Sequence, residues 1–438
     1  MRRSTRPTAS SGGRGRLAVN AAPATPNYAF GDRAPGAVFA PERVEQLAAA
    51  LRACDAKGHA VVLFGGGTLQ SLGHAPARYD VAIDLRALDK LLEYEFRDLT
   101  ISVEAGMSVE QLTATLAERG QFVALDAPQA ARSTVGGILA SGWGGPRRAT
   151  YGRPRDALIG TTIVLADGTI AKAGGMVVKN VTGYDMSKLY CGSFGTLGAI
   201  VRANFKTLPA PPARRVAIAR LPERTHRHVI ENIAALDVEP AAALVVQGFA
   251  DDIDGRDGAD GRIFLLFEGS QALVDRSTRE LRSALGAAGV PETTLFDAGA
   301  GTAFSRLLDA YLVRLGDRSV TYRCLGLPND LLRRWETVAR LAQTHELALE
   351  TLQDIRTGDL IARVSATLSG HLAERIAGFD AELHLALPSI HVLTAPEPLR
   401  GGLAMWGAPP SSLETMRALK KRFDPNGTLA PGRFVGGI

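Results

Sequence analysis

The chain reads as an α+β protein of more than one domain. Three observations carry that reading: a Gly-rich first half that mixes short apolar strands with amphipathic helices, a cluster of prolines at Pro209, Pro211 and Pro212, and a stretch beyond it in which strands alternate with helices. With 438 residues, 46% of them hydrophobic, the chain can bury substantial cores.

The first 27 residues carry Arg2, Arg3, Arg6, Arg14 and Arg16 before any acidic residue, and they account for the whole net charge of +5. They lack large apolar residues and are expected to be a disordered Arg-rich tail. No apolar run follows Arg2-Arg3, as an export signal would require. With the charge confined to this tail, no basic groove for nucleic acid is indicated. Cys54, Cys191 and Cys324 are too far apart for a clustered metal or iron–sulfur site, and no apolar stretch is long enough to span a membrane.

From Pro41 to Lys57, Val44, Leu47, Ala48 and Leu51 follow helical spacing, with Pro41 suited to the first turn and Gly58 to the end. A buried strand, Ala60 to Phe64, runs into Gly65-Gly66-Gly67-Thr68. Three strands are expected at Val81 to Leu85, Lys90 to Tyr94 and Leu99 to Ala105. Ser108 and Gln111 have capping-box spacing for a helix with Val109, Leu112 and Leu116 on its apolar stripe. The Gly-rich stretch Ser133 to Phe205 reads as strands at Leu158 to Ala166 and Leu197 to Phe205, separated by turns, and the prolines are expected to break regular structure.

Beyond them, strands are expected at Val216 to Leu221, Leu244 to Phe249, Ile263 to Phe267 and Val320 to Leu325. Helices are expected at His226 to Leu236, Ala272 to Ala288 and Asp330 to Glu346. Asp251 to Gly261 reads as an exposed acidic hairpin loop without calcium-loop spacing.

Four Gly-rich segments stand at the ends of apolar strands in this reading: Gly65 to Thr68, Gly136 to Gly142, Gly144 to Arg148 and Gly192 to Gly198. A diphosphate needs many backbone N–H donors at close range, and residues without Cβ permit that approach. Any one of the four is equally a turn. The nicotinamide fingerprint G-x-G-x-x-G with its distal acid is absent, as is a Walker A loop.

Lys179-Asn180-Val181-Thr182-Gly183-Tyr184-Asp185, followed by Leu189 and Gly192-Ser193-Phe194-Gly195-Thr196-Leu197-Gly198, resembles the signature of the vanillyl-alcohol oxidase (VAO), or PCMH, superfamily of FAD-binding proteins. Within it, Gly144 to Arg148, Arg155-Asp156, Gly174-Gly175 and Val178-Lys179-Asn180 look most like the FAD-binding subunit of glycolate oxidase, GlcE. The closing run Phe423 to Arg433 resembles the family's D-P-x-G-x-x-N-P-G-R end, with Ala430 in place of Asn.

The resemblance implies a two-lobed PCMH/VAO-type FAD-binding domain at residues 28–213, a mixed α/β cap or substrate domain at 214–400 and a segment at 401–438 returning to the first domain. It implies FAD surrounded by Gly65, Gly66, Gly67, Thr68, Leu69, Thr134, Gly136, Gly137, Ala140, Ser141, Gly142, Gly152, Gly198, Ile200 and Val201. Arg147 is a candidate for the pyrophosphate, with a subunit contact or a solvated face as the alternative. Tyr184 and Asp185 could orient that loop, or simply pack. His74, near the first loop, is not in the position from which relatives tether flavin, so the FAD is expected to be non-covalent.

The activity implied is oxidation of glycolate or a related D-2-hydroxy acid, with electrons passed to a second FAD-containing subunit and an iron–sulfur subunit. The site is expected to be cytoplasmic, meeting the inner membrane face only through those partners. The paired histidines and Gly-Asp-Gly-Asn run of related dehydrogenases are missing. No metal site and no catalytic base is therefore assigned, and His371, His384 and His391 read as surface or packing residues. A self-sufficient hydroxy-acid or alcohol oxidase and a structural FAD-carrying subunit are the alternatives.

Overall fold

In a computed structural model the described residues are 28–177, 183–222, 226–248, 261–290, 293–297, 299–310, 318–366 and 372–438. The Arg-rich tail, most of the acidic loop, residues 178–182 and His371 lie outside them.

Strand β1 (Ala37–Phe39) is followed by α1 (Val44–Ala56), which buries Leu47, Ala48, Leu51 and Cys54 on one face. The helix begins later than expected because Arg43, in extended conformation, is its N-cap. Strands β2 (Val61–Phe64) and β3 (Val81–Asp84) join β1 in a three-stranded parallel sheet of order β1-β3-β2.

Next come β4 (Leu91–Glu95), β5 (Thr100–Glu104) and α2 (Val109–Ala117). The capping box is formed as the spacing predicts: Ser108 Oγ accepts from Gln111 N at 3.1 Å and Gln111 Oε1 from Ser108 N at 3.0 Å. After β6 (Gln121–Phe122), the stretch expected to hold only strands and turns contains four short helices: α3 (Val135–Ser141), α4 (Arg148–Tyr151), α5 (Pro154–Ala157) and α6 (Met186–Tyr190). Glycine lowers helix propensity, but Thr134 caps α3 and its apolar Val135, Ile138 and Leu139 are buried, so packing overrides propensity.

Strands β7 (Leu158–Val164), β8 (Ile170–Gly174) and β9 (Ala199–Lys206) complete a five-stranded antiparallel sheet of order β4-β5-β9-β7-β8. The two sheets share a core, with Leu47, Leu51, Val61 and Ile83 packed against Val164 and Val201. The prolines do not end regular structure entirely. Leu208–Pro209 forms a two-residue strand, β10, against β6, a place where the missing proline N–H is tolerated.

The second half builds one eight-stranded antiparallel sheet from β11 (Ala213–Leu221), β12 (Ala242–Gln247), β13 (Gly261–Gly269), β14 (Thr293–Phe296), β15 (Ser319–Cys324), β16 (Ala348–Asp354), β17 (Leu360–Ser365) and β18 (Ile390–Thr394). Its order is β14-β11-β13-β12-β16-β17-β15-β18. Strand alternation divides its residues between two cores. Val216, Ile218, Leu244 and Phe264 join a core with Ile101, Val103 and Phe205 of the five-stranded sheet. Ala217, Val245 and Leu265 face helices α7 (His226–Ala234), α8 (Gln271–Ala287), α10 (Leu331–Thr344) and α11 (Leu372–Ala386), with α9 (Ala300–Ala310) on the first side. Strands β14, β16, β17 and β18 were not foreseen, since short segments such as Ala348–Asp354 mix polar and apolar residues and become strands only by pairing with neighbours.

After α12 (Glu397–Arg400) and α13 (Leu413–Phe423), the chain returns to the first sheet. Leu429 bridges Val61 in parallel, Val61 N donates to Thr428 O at 2.7 Å and Ala430 N to Val61 O at 2.8 Å. Asp424 holds this turn. Its buried carboxylate accepts from Thr428 N, Leu429 N and Lys420 Nζ at 2.9, 2.8 and 2.5 Å.

Breaking a buried ion pair by removing one partner costs about 3–5 kcal/mol, because the remaining charge stays buried. Asp424→Ala is therefore expected to lower stability by roughly that amount, read as a fall in the urea midpoint with an unchanged slope.

Candidate functional site

Strand β2 ends at Gly65, and the Gly65-Gly66-Gly67-Thr68 turn packs directly on the segment that leads into α3. A Cβ on Gly66 would lie 1.7 Å from the Arg132 carbonyl oxygen, and one on Gly65 would lie 2.2 Å from Thr134 Oγ1. Gly67 adopts a φ of +71°. Only residues without Cβ make this approach. Thr134 Oγ1 accepts from Gly137 N at 3.1 Å, and Thr68 Oγ1 meets Ser133 Oγ at 2.8 Å, which ties the turn to the helix start.

Between them opens a cleft lined by Gly65 to Gln70, Thr134, Gly137, Ala140, Ser141, Phe194 and Arg433, continuing past Leu85, Ala105, Gly136, Gly198 and Ile200. Thus Gly65, Gly66, Gly67, Thr68, Leu69, Thr134, Gly136, Gly137, Ala140, Ser141, Gly198 and Ile200 are brought together, although they come from three separated stretches. Gly142 lines the adjoining chamber. The other three candidates lie elsewhere. Val201 is buried in the core under α1, Gly152 ends α4 at a φ of +83°, and Arg147 turns away to Asp126 and Glu268. Of the two residues read as orienting Arg147's loop, Tyr184 is 93% exposed. Asp185 precedes α6 and approaches Lys188 at 3.9 Å.

Arg433 is the cation of the cleft. It is buried, its Nη2 donates to Leu72 O at 3.0 Å and Gln70 O at 3.4 Å, and its guanidinium lies 4.3 Å from the Phe30 ring centre. Nη1 is buried without a hydrogen-bond partner among the described residues. Burial, reinforced by nearby Arg400, pushes its pKa down to about 9. A buried unsatisfied donor costs about 1–3 kcal/mol, and an anion in the cleft would relieve that cost. The residues present therefore fit a diphosphate.

The cleft shares Ser141 and Phe194 with a chamber of about 280 Å³ under the eight-stranded sheet. Strand register places Arg323 on β15 opposite His391 on β18. Asp359 receives Arg148 Nη2 at 2.7 Å and Arg323 Nε at 2.7 Å, and Arg323 stacks 5.0 Å from the Trp143 ring. Behind them Asp354 is fully buried, 4.0 Å from Arg148, and burial raises its pKa to about 6. Arg153 also lines the chamber; its backbone N–H donates to Asp156 Oδ2 at 2.8 Å, while its guanidinium has no carboxylate partner among the described residues. Burial, then the charge of Arg323, pushes the His391 imidazole down to about 4, so it is neutral near pH 7. Three guanidiniums thus face one lining carboxylate, a field that favours an anionic occupant.

Arg323, Asp359 and His391 were not singled out from the sequence. His391, read as a packing residue, sits in the chamber wall. A charged Arg323 within the apolar run Val320 to Leu325 was the available signal, because a buried arginine needs a partner or a ligand.

A family model described as FAD binding domain matches residues 35–174. Glycolate oxidase subunit GlcD of Bacillus subtilis is 26% identical over 94% of this chain and 90% of its own length. Glycolate oxidase subunit GlcE of Escherichia coli is 27% identical over 80% of this chain and 86% of its own. The two subunits match at nearly equal identity, so similarity does not separate them. Among solved structures, p-cresol methylhydroxylase with substrate bound superimposes with a TM-score of 0.68 at 16% identity, over 90% of this chain and 88% of that one. The chain thus matches an FAD binding domain at residues 35–174, and its mixed α+β fold is similar to that of p-cresol methylhydroxylase over 90% of its length.

Proposed function

We propose that this chain holds FAD non-covalently and works as the FAD-bearing subunit of a glycolate-oxidase-like complex. It oxidises glycolate or a related D-2-hydroxy acid and passes electrons to a second flavoprotein subunit and an iron–sulfur subunit. The observation that carries this reading is the unpartnered, buried Arg433 Nη1 in a glycine-walled cleft that opens into a chamber with a surplus of guanidinium groups. The similarity to two glycolate oxidase subunits supports the complex. No helix among the described residues is long and apolar enough to cross a membrane, so membrane contact comes through the partners. In this reading residues 28–213 hold the flavin, residues 214–400 cover the substrate and residues 401–438 return to close the cleft with Arg433.

Non-covalent attachment is supported by the lining, since among the described residues no His or Cys lines the cleft, His74 lies outside it and His391 lines only the adjoining chamber. The backbone amides of the Gly65 to Thr68 turn and Arg433 would hold the diphosphate. Bound FAD supplies the two-electron acceptor for the hydride leaving the substrate Cα. The chain's own groups do the rest. Arg153 faces the substrate carboxylate, while Asp359 keeps Arg148 and Arg323 in fixed orientation. The neutral His391 accepts the hydroxyl proton. Because its pKa is depressed, the base form is present above about pH 4 and is lost as the pH falls through that value.

A self-sufficient oxidase is the second reading, favoured by the presence of both a base and an unpaired guanidinium in this one chamber.

The purified chain is expected to be yellow and to release all its flavin on acid precipitation. Gly66→Ala, which drives the turn against the Arg132 carbonyl, should weaken FAD binding at least about tenfold, or ~1.4 kcal/mol, in a fluorescence titration. A colourless, folded chain that refuses added FAD would overturn the assignment. Bleaching by glycolate or D-lactate is expected only after the partner subunits are added. Bleaching of the isolated chain would establish the self-sufficient reading instead, and a flavin that is never bleached would leave a structural role. In the assembled complex, Arg153→Met should raise KM for the hydroxy acid by about tenfold or more with a smaller effect on kcat, as expected for loss of a charge-assisted contact.

A further inference from the structure

Arg147 is the motif residue that the flavin cleft does not use. Its Nε donates to Asp126 Oδ1 at 2.7 Å and its Nη1 lies 3.4 Å from Glu268 Oε1. Its Nη2 has no partner among the described residues. The residue is only 8% exposed, and the Phe304 ring covers its guanidinium at 5.0 Å. It lines a separate cavity of about 720 Å³ between α2, the segment before α3, and α9 of the second half. The neighbouring residue, Arg148, turns the opposite way, to Asp359 in the chamber wall.

The walls of this cavity are largely apolar, with Phe122, Leu125, Phe304 and Leu308, although Glu110, Arg132 and Asp309 also line it, and Arg214 stands beside Arg147, donating from Nε to the same Glu268 Oε1 at 2.7 Å. A volume of this size is that of a small-molecule site. A largely apolar cavity that holds a buried guanidinium with one unused nitrogen suits a molecule that is apolar along its length and carries an acceptor at one end. We propose that this cavity is a second ligand site, which takes a carboxylate carried on an apolar body such as a medium-chain fatty acid, with Arg147 Nη2 as the anchor. The proposal does not rest on the identity of the flavin substrate.

The test uses the full chain saturated with FAD, so that the flavin cleft is filled, with sodium decanoate and decan-1-ol titrated by calorimetry. Decanoate should bind saturably at one site per chain, and decanol at least about tenfold more weakly, as expected when one charge-assisted hydrogen bond is lost. Arg147→Lys retains a charge for Asp126 but not the guanidinium fork, and should weaken decanoate binding. Because that variant can also disturb folding, Ala114→Trp with Ser305→Trp, at exposed positions lining the cavity, serves as the second test. The pair should abolish decanoate binding while the flavin spectrum is unchanged. Absence of saturable binding, equal binding of decanol, or decanoate binding that survives the tryptophan pair would each overturn the proposal.

Discussion

The site rests on one close approach: the Gly65-Gly66 turn lies against Arg132 and Thr134 so closely that a Cβ on Gly66 would meet the Arg132 carbonyl oxygen and one on Gly65 the Thr134 hydroxyl. That contact brings the end of β2 to the start of α3, and their backbone amides border one narrow cleft. A larger residue would separate them, and the cleft would lose the convergence of donors that a diphosphate requires.

The C-terminal segment completes what the glycines begin. Leu429 adds itself beside β2, Asp424 fixes the turn before it, and Arg433 then reaches back to the carbonyls of Gln70 and Leu72. Arg400 does the same from the other side, donating to Ser71 O at 2.7 Å and Gly73 O at 2.6 Å. Two guanidiniums therefore hold successive carbonyls of one loop. Burial lowers both pKa values, and the charge of Arg400 lowers that of Arg433 further, so the region carries stored positive charge that an anionic ligand relieves.

The adjacent arginines 147 and 148 show how one short helix serves two compartments. Arg148 joins Asp359 and Arg323 in the chamber, whereas Arg147 faces an apolar cavity on the other side. Each is held by buried carboxylates, so neither can exchange roles without leaving a charge unpaired.

The sequence by itself determined the strand-and-helix character of the first half, the capping box at Ser108 and the glycine turns that wall the cleft, because each depends on local spacing or on the absence of Cβ. It did not show that Val135 to Ser141 is helical, since burial of Val135, Ile138 and Leu139 overrides the poor propensity of glycine. Nor did it show where Arg147 points, because that direction is decided by Asp126 and Glu268, the latter 121 residues away. Arg323, Asp359 and His391 became neighbours only when β15, β17 and β18 paired, and such register is a property of the assembled sheet. Short-range pattern sets what a segment can become; long-range pairing and the need to match buried charges decide which side chains meet.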